Sequence, residues 1–92
     1  MLLDAQTKSF LHDPVARWKW IRFQLSIKGQ SISSIARQHG VRSQTLSSCR
    51  NQPYPRMERI IAENIGCSEK EIFPDRFNDD GTRKGIYNRT TH

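Results

Sequence analysis

Between Ser31 and Leu46, three residues at fixed spacings leave room for little except two short helices joined at a tight turn. Ser31 is an N-cap, because its hydroxyl can accept a hydrogen bond from a free backbone N–H of the first helical turn. Gly40 closes that helix by taking the left-handed conformation without a steric penalty. A helix is therefore expected over roughly Ile32 to His39. Ile32, Ile35 and Ala36 fall at i, i+3 and i+4 and share one face, with Val41 just past the turn ready to pack beneath it. Ser43 is expected to cap a second helix running to Asn51, with Leu46 and Cys49 as its inward stripe. Ala36 supplies a small residue where the helices cross, Gly40 follows four residues later, and Leu46 lies six residues past the glycine. This is helix-turn-helix spacing. His39 is the departure, since the last residue of such a first helix is usually apolar. A plain helical hairpin in an all-α domain is the competing reading.

The second helix leaves Gln44, Thr45, Ser47, Ser48 and Asn51 facing outward, with Arg42 and Arg50 at its ends. Short and medium polar side chains beside arginines suit base edges and phosphates. The charge distribution points the same way. The chain has 92 residues, a net charge of +6 and a pI near 9.9, which favours a polyanionic partner. No acidic residue occurs between Asp13 and Glu58, whereas Arg17, Lys19, Arg22, Lys28, Arg37, Arg42, Arg50 and Arg56 all lie inside that interval. Arg37, Arg50 and Arg56 are candidate phosphate contacts, although a solvated helix start is an equal reading for Arg56.

At this length the chain supports one small domain with a modest core. Residues 1–12 show no sustained period and are expected to form a flexible arm, with at most a short turn near Phe10. Asp13 followed by Pro14 starts a helix that Gly29 closes. Trp18, Ile21 and Leu25 form its core stripe, with Val15 at the edge. Ala16, Trp20, Phe23 and Ile27 form a second stripe, which either packs within the domain, covers a tail or meets a second subunit. Trp20 and Phe23 are the candidate contacts of a homodimer. Pro55 opens a further helix to Ile65, with Met57, Ile60, Ile61 and Ile65 inward, Glu58 and Glu63 outward, and Gly66 as its stop. Ser68 and Glu71 make a capping box for a last short helix to Phe73, ended by Pro74. From Asn78 to His92 the sequence is polar and aperiodic, and a disordered basic tail is expected. The fold expected is all-α, a compact bundle of about five short helices over residues 13–77.

Cys49 and Cys67 are too few and too far apart for a zinc site or a disulfide framework, and read as small buried hydrophobes of a reducing compartment. No paired acids, nucleophile with a base, or metal-ligand set falls at a workable spacing, so no enzyme, cofactor or metal is expected. His12 and His39 stand alone. No signal peptide or membrane span is evident, and the bacterial cytoplasm or nucleoid is the expected location.

These residues also resemble a family. The tryptophan-bearing first helix, the run from Leu25 to Gly40, and the segment from Met57 to Phe77 resemble the Ner-like regulators of Mu-type phages and their bacterial relatives. The ending Ile72-Phe73-Pro74-Asp75-Arg76-Phe77 is similar to the Ile-Trp-Pro-Ser-Arg-Tyr ending of that family. The resemblance covers roughly Val15 to Phe77. It implies a lambda-repressor-like helix-turn-helix domain and a transcriptional regulator of double-stranded DNA, in the phage members a negative regulator of early transcription, needing no small molecule. It places the DNA contacts at Arg42, Ser43, Gln44, Thr45, Ser47 and Ser48. The longer N-terminal arm, Trp20, Phe23 and the basic tail depart from the pattern. A basic interaction module, an adaptor or anti-activator without sequence readout, is the alternative: it accounts for the charge but not for the polar outward face of Ser43 to Asn51.

Overall fold

A computed structural model describes residues 3–84. It holds six α-helices: α1 (Ala5–Phe10), α2 (Pro14–Ile27), α3 (Ile32–Gln38), α4 (Ser43–Ser47), α5 (Pro55–Ile65) and α6 (Glu69–Ile72). Short 3-10 turns follow α4, at Ser48–Arg50, and α6, at Pro74–Arg76. Extended pairing among the described residues is limited to one antiparallel bridge, Phe77 with Arg83.

Local chemistry sets most of these boundaries. The Asp13 carboxylate accepts from Val15 N at 3.1 Å with Pro14 in the first turn, so α2 starts where the sequence predicts. Gly29, Gly40 and Gly66 all take positive φ. At Gly40 the turn is a Schellman closure, in which Val41 N donates to Ala36 O at 3.0 Å and Gly40 N to Arg37 O at 3.3 Å. The capping box of α6 forms as expected, with Glu71 N donating to Ser68 Oγ at 3.2 Å and Ser68 N to Glu71 Oε1 at 2.8 Å. Ser31 makes a second box with Ser34, whose hydroxyl accepts from Ser31 N at 2.8 Å.

The core gathers Trp18, Ile21 and Leu25 of α2, Ile35 and Ala36 of α3, Leu46 and Cys49, the inner face of α5, and Ile72 with Phe73. α5 lies against both α2 and α4, and α3 packs on α4. Trp20 is half-buried and packs against this core, so that part of the second stripe is satisfied within the domain. Phe23 and Ile27 stay exposed. Val15, expected at the core edge, is exposed as well.

The structure also departs from the sequence expectations in the following places. Residues 5–10 of the expected flexible arm are helical, started by Asp4, whose carboxylate accepts from Thr7 N at 2.7 Å. Leu11 behind them is fully buried and its carbonyl accepts from Arg17 Nε at 2.9 Å. Second, Arg17 is not part of a basic surface. It is 1% exposed, donates to Asp75 Oδ1 at 2.7 Å, and lies over the Phe73 ring, 5.1 Å from its centroid.

Third, Glu58 is not on the outer side of α5 but fully buried. Its Oε2 accepts from Tyr54 N at 2.7 Å and Arg76 Nη1 at 2.8 Å, while Oε1 accepts from Arg83 Nη2 at 2.6 Å. A buried carboxylate is tolerated because these donors replace its hydration. Fourth, the segment after Phe77, expected to be disordered, folds back as far as Lys84. Asn78 N donates to Thr82 O at 2.7 Å and Lys84 N to Arg76 O at 2.9 Å, which returns Arg83 to Glu58. The remainder of the expected tail lies outside the described residues.

Candidate DNA interface

The two motif helices carry exposed basic and polar side chains, Arg37 on α3 and Arg42 and Gln44 at the start of α4. α3 is held by Ile35 and Ala36, and α4 by Leu46, all buried. Ser43 is the first residue of α4 rather than its cap. Arg42 occupies the cap position, in extended backbone with φ −77° and ψ 150°, and no side chain closes the helix start. The Arg42 guanidinium is thus carried at the front end of the helix and stays exposed.

The second helix is also shorter than expected. Its α-helical part is Ser43–Ser47, after which the chain tightens into the 3-10 turn. The cause is visible in two side-chain bonds back to carbonyls one turn earlier: Ser48 Oγ donates to Thr45 O at 2.7 Å, and Cys49 Sγ to Leu46 O at 3.2 Å. Serine bonding of this kind competes with regular helix geometry. Cys49 is fully buried, and burial together with the Glu58 charge pushes its thiol up to about 12. It is a packing residue and not a nucleophile.

With helical spacing, Leu46 points to the core and Gln44 stands nearly opposite, with Ser43 and Ser47 on one flank and Thr45 on the other. Burial agrees: Gln44 is exposed, whereas Ser43, Thr45, Ser47 and Ser48 are half-buried. The Ser48 proton is already given to a carbonyl, so towards a ligand that hydroxyl is an acceptor. Arg50 at the end of the 3-10 turn and Asn51 just after it are exposed, as are Arg37 on α3 and Arg56 at the start of α5. Among the described residues no hydrogen bond or ion pair holds the side chains of Arg37, Arg42, Gln44, Arg50 or Arg56. His39 caps the C-terminus of α3 and is exposed, so its polarity is accommodated without a core partner.

The first helix of the core contributes residues that the sequence reading did not assign to this surface. Lys19, Arg22, Phe23 and Ser26 of α2 face Ile32 and Ser33 of α3 and Ser43 and Ser47 of α4 across a cleft of about 670 Å³. Lys19 and Arg22 are both exposed. The signal available in the sequence was their spacing, three apart and on one side of α2 from the Trp18 stripe. Among the described residues, no group of three or more His, Cys, Asp or Glu could hold a metal ion, and no helix is long and apolar enough to cross a membrane.

Comparison with known proteins agrees with this geometry. The model of a winged helix-turn-helix DNA-binding family matches residues 18–90, which takes in α2 from Trp18 onward, the motif, α5, α6 and the Phe77–Arg83 turn. Sugar fermentation stimulation protein B of Escherichia coli strain K12 is 36% identical over 59 residues, 64% of each chain. This chain thus spans just under two thirds of the length of that relative. The Mu-like prophage FluMu DNA-binding protein Ner of Haemophilus influenzae is 30% identical over 66 residues, covering 72% of this chain and 74% of the relative. A negative regulator of transcription from Escherichia phage D108 is 30% identical over 54 residues, 59% of this chain and 74% of the relative. The motif spacing, the outward polar face and a family match over most of the chain lead to one assignment: this chain belongs to the winged helix-turn-helix DNA-binding family, among relatives that include the Ner-like proteins.

Proposed function

We propose that this protein is a sequence-specific regulator of transcription, acting negatively, that inserts α4 into the major groove of double-stranded DNA. The observation that carries the reading is the Gln44 side chain, exposed at the outermost point of α4 and unheld by any described residue. Its amide matches the paired donor and acceptor of adenine in the major groove, and Arg42 at the front of the helix reaches guanine or a phosphate. Thr45 offers a methyl group to thymine, and Ser48 accepts from an exocyclic amine. Arg37, Arg50, Asn51 and Arg56 take phosphates, fixing register without reading sequence. The names of the relatives, a DNA-binding protein and a negative regulator of transcription, support the same class and sign.

A single domain of this size contacts few base pairs, so two copies on half-sites about one helical turn apart provide the specificity. Of the candidate contacts between copies, Trp20 packs on the core and Phe23 lines the cleft beside α4, which leaves Ile27 as the exposed apolar residue of the second stripe for such a contact. Sedimentation with an operator of two half-sites tests this: one copy per duplex at saturation contradicts it. The function itself is tested by selecting from a random duplex pool. Enrichment of a single motif is expected; a pool that stays random while affinity fades with salt favours a basic adaptor without readout.

A further inference from the structure

We infer that the cleft between α2 and the two motif helices is the seat of one sugar-phosphate strand, with Lys19 and Arg22 as its phosphate ligands and Ser43 and Ser47 as its second wall. This rests on the proposal that α4 enters the major groove and deepens it, because it divides α4 into a base-reading face and a backbone-facing flank.

Three observations carry it. Lys19 and Arg22 stand on the α2 wall of the cleft beside Trp18 and Phe23, serine hydroxyls stand on the facing wall around Ile32, and no acidic residue lines it. Neither cation is engaged in an ion pair among the described residues, unlike Arg17 two residues away, which is buried against Asp75. The cleft is also continuous with the reading element, since Ser43 and Ser47 belong to both. Cations facing hydroxyls suit a chain of phosphates, whose oxygens accept from both. A duplex that receives Gln44 in its major groove has a strand bordering that groove, and the cleft lies on the flank of α4 next to it.

The consequence for Ser43 and Ser47 is a change of role. They contact backbone and not base edges, so their removal weakens all sequences alike. Lys19 and Arg22 contribute affinity in the same way, and through counterion release each phosphate contact adds about 0.9 to the slope of log K against log salt.

The experiment compares wild type, Lys19→Gln/Arg22→Gln, Lys19→Arg/Arg22→Lys and Gln44→Ala, by anisotropy on the selected operator and on a scrambled duplex across a salt series. Ethylation interference on the operator is run in parallel. Both α2 residues are exposed, and an unchanged melting curve checks that the variants fold. The expected result is that the glutamine double variant loses about 1.8 from the salt slope. It should weaken both duplexes by the same factor and lose interference at a contiguous group of phosphates. The charge-retaining variant keeps slope and pattern, and Gln44→Ala keeps the slope while losing preference. An unchanged slope and interference pattern in the glutamine double variant overturns the inference while leaving the α4 reading intact. A wild type without any sequence preference defeats the α4 reading instead, and the slope comparison still decides the cleft.

Discussion

Replacing Glu58 with alanine is expected to bring the domain close to unfolding. The carboxylate is fully buried and accepts three hydrogen bonds, from Tyr54 N, Arg76 Nη1 and Arg83 Nη2. Its loss strands two guanidiniums whose side chains are only 8% and 11% exposed, together with a backbone N–H. Removing one partner of a buried ion pair costs about 3–5 kcal/mol, because the remaining charge stays desolvated. Domains of this size have about 5–15 kcal/mol in all. A loss of about 3 kcal/mol corresponds to a fall in Tm of roughly 12–24 °C, at about 4–8 °C per kcal/mol. Urea denaturation followed by far-UV circular dichroism gives the free energy directly. Glu58→Gln should fall between wild type and Glu58→Ala, since the amide oxygen still accepts from Tyr54 N but its NH2 group opposes a guanidinium. A Glu58→Ala loss below about 1 kcal/mol, with an unchanged denaturant slope, would refute the account of Glu58 as the buried tie between α5 and the Phe77–Lys84 turn.

Other substitutions probe single links of the same structure. Gly40 has φ of 68° and open space where a Cβ would stand, so Gly40→Ala meets only the left-handed backbone penalty, about 1–2 kcal/mol by urea denaturation, with DNA affinity kept at temperatures where the variant is folded. Leu46→Ala removes the fully buried anchor of α4 and should cost about 2–5 kcal/mol in the same assay. The Cys49 thiol is neutral and buried, so it should resist a thiol-specific chromogenic reagent at pH 8 and react only in denaturant. Its value lies near 9 when unfolded and about 12 when folded. The folded state therefore holds the proton more tightly, and stability contributed by this group declines as pH rises from about 9 to 12. Cys49→Ala should flatten that alkaline limb in pH-dependent denaturation.

Much of the domain was legible because its boundaries are made by residues with local chemistry. Asp13-Pro14, Ser31, Gly40, Gly66 and the Ser68–Glu71 box each act within a few residues, and all of them form as the sequence predicts. The outward position of Gln44 likewise follows from Leu46 and Cys49 facing in. What escaped depends on contacts across the chain. Glu58 sits at a position of α5 that polarity alone assigns to solvent. The cationic partners that compensate its charge, Arg76 and Arg83, lie 18 and 25 residues later. Arg17 is hidden for the same reason, its partner Asp75 lying 58 residues away. The helix Ala5–Phe10 has no buried residue of its own, so no hydrophobic period marks it. Its one local signal was Asp4 three residues ahead of Thr7. The shortening of α4 comes from Ser48 and Cys49 bonding back to carbonyls, which a pattern of inward and outward residues does not register. Within the ending Ile72 to Phe77, Phe73 takes the guanidiniums of both Arg17 and Arg76 over its ring, at 5.1 and 4.8 Å from its centroid.

The central claim, that α4 reads bases through Gln44, is tested most directly by measuring wild type and Gln44→Ala against the selected operator and every single-base variant of it at fixed salt. The account predicts a loss of about 1–3 kcal/mol for Gln44→Ala on the operator. That penalty should vanish at one adenine position, where the variant no longer distinguishes the four bases. A Gln44→Ala protein that weakens equally on every duplex, or keeps the wild-type preference at all positions, would contradict it.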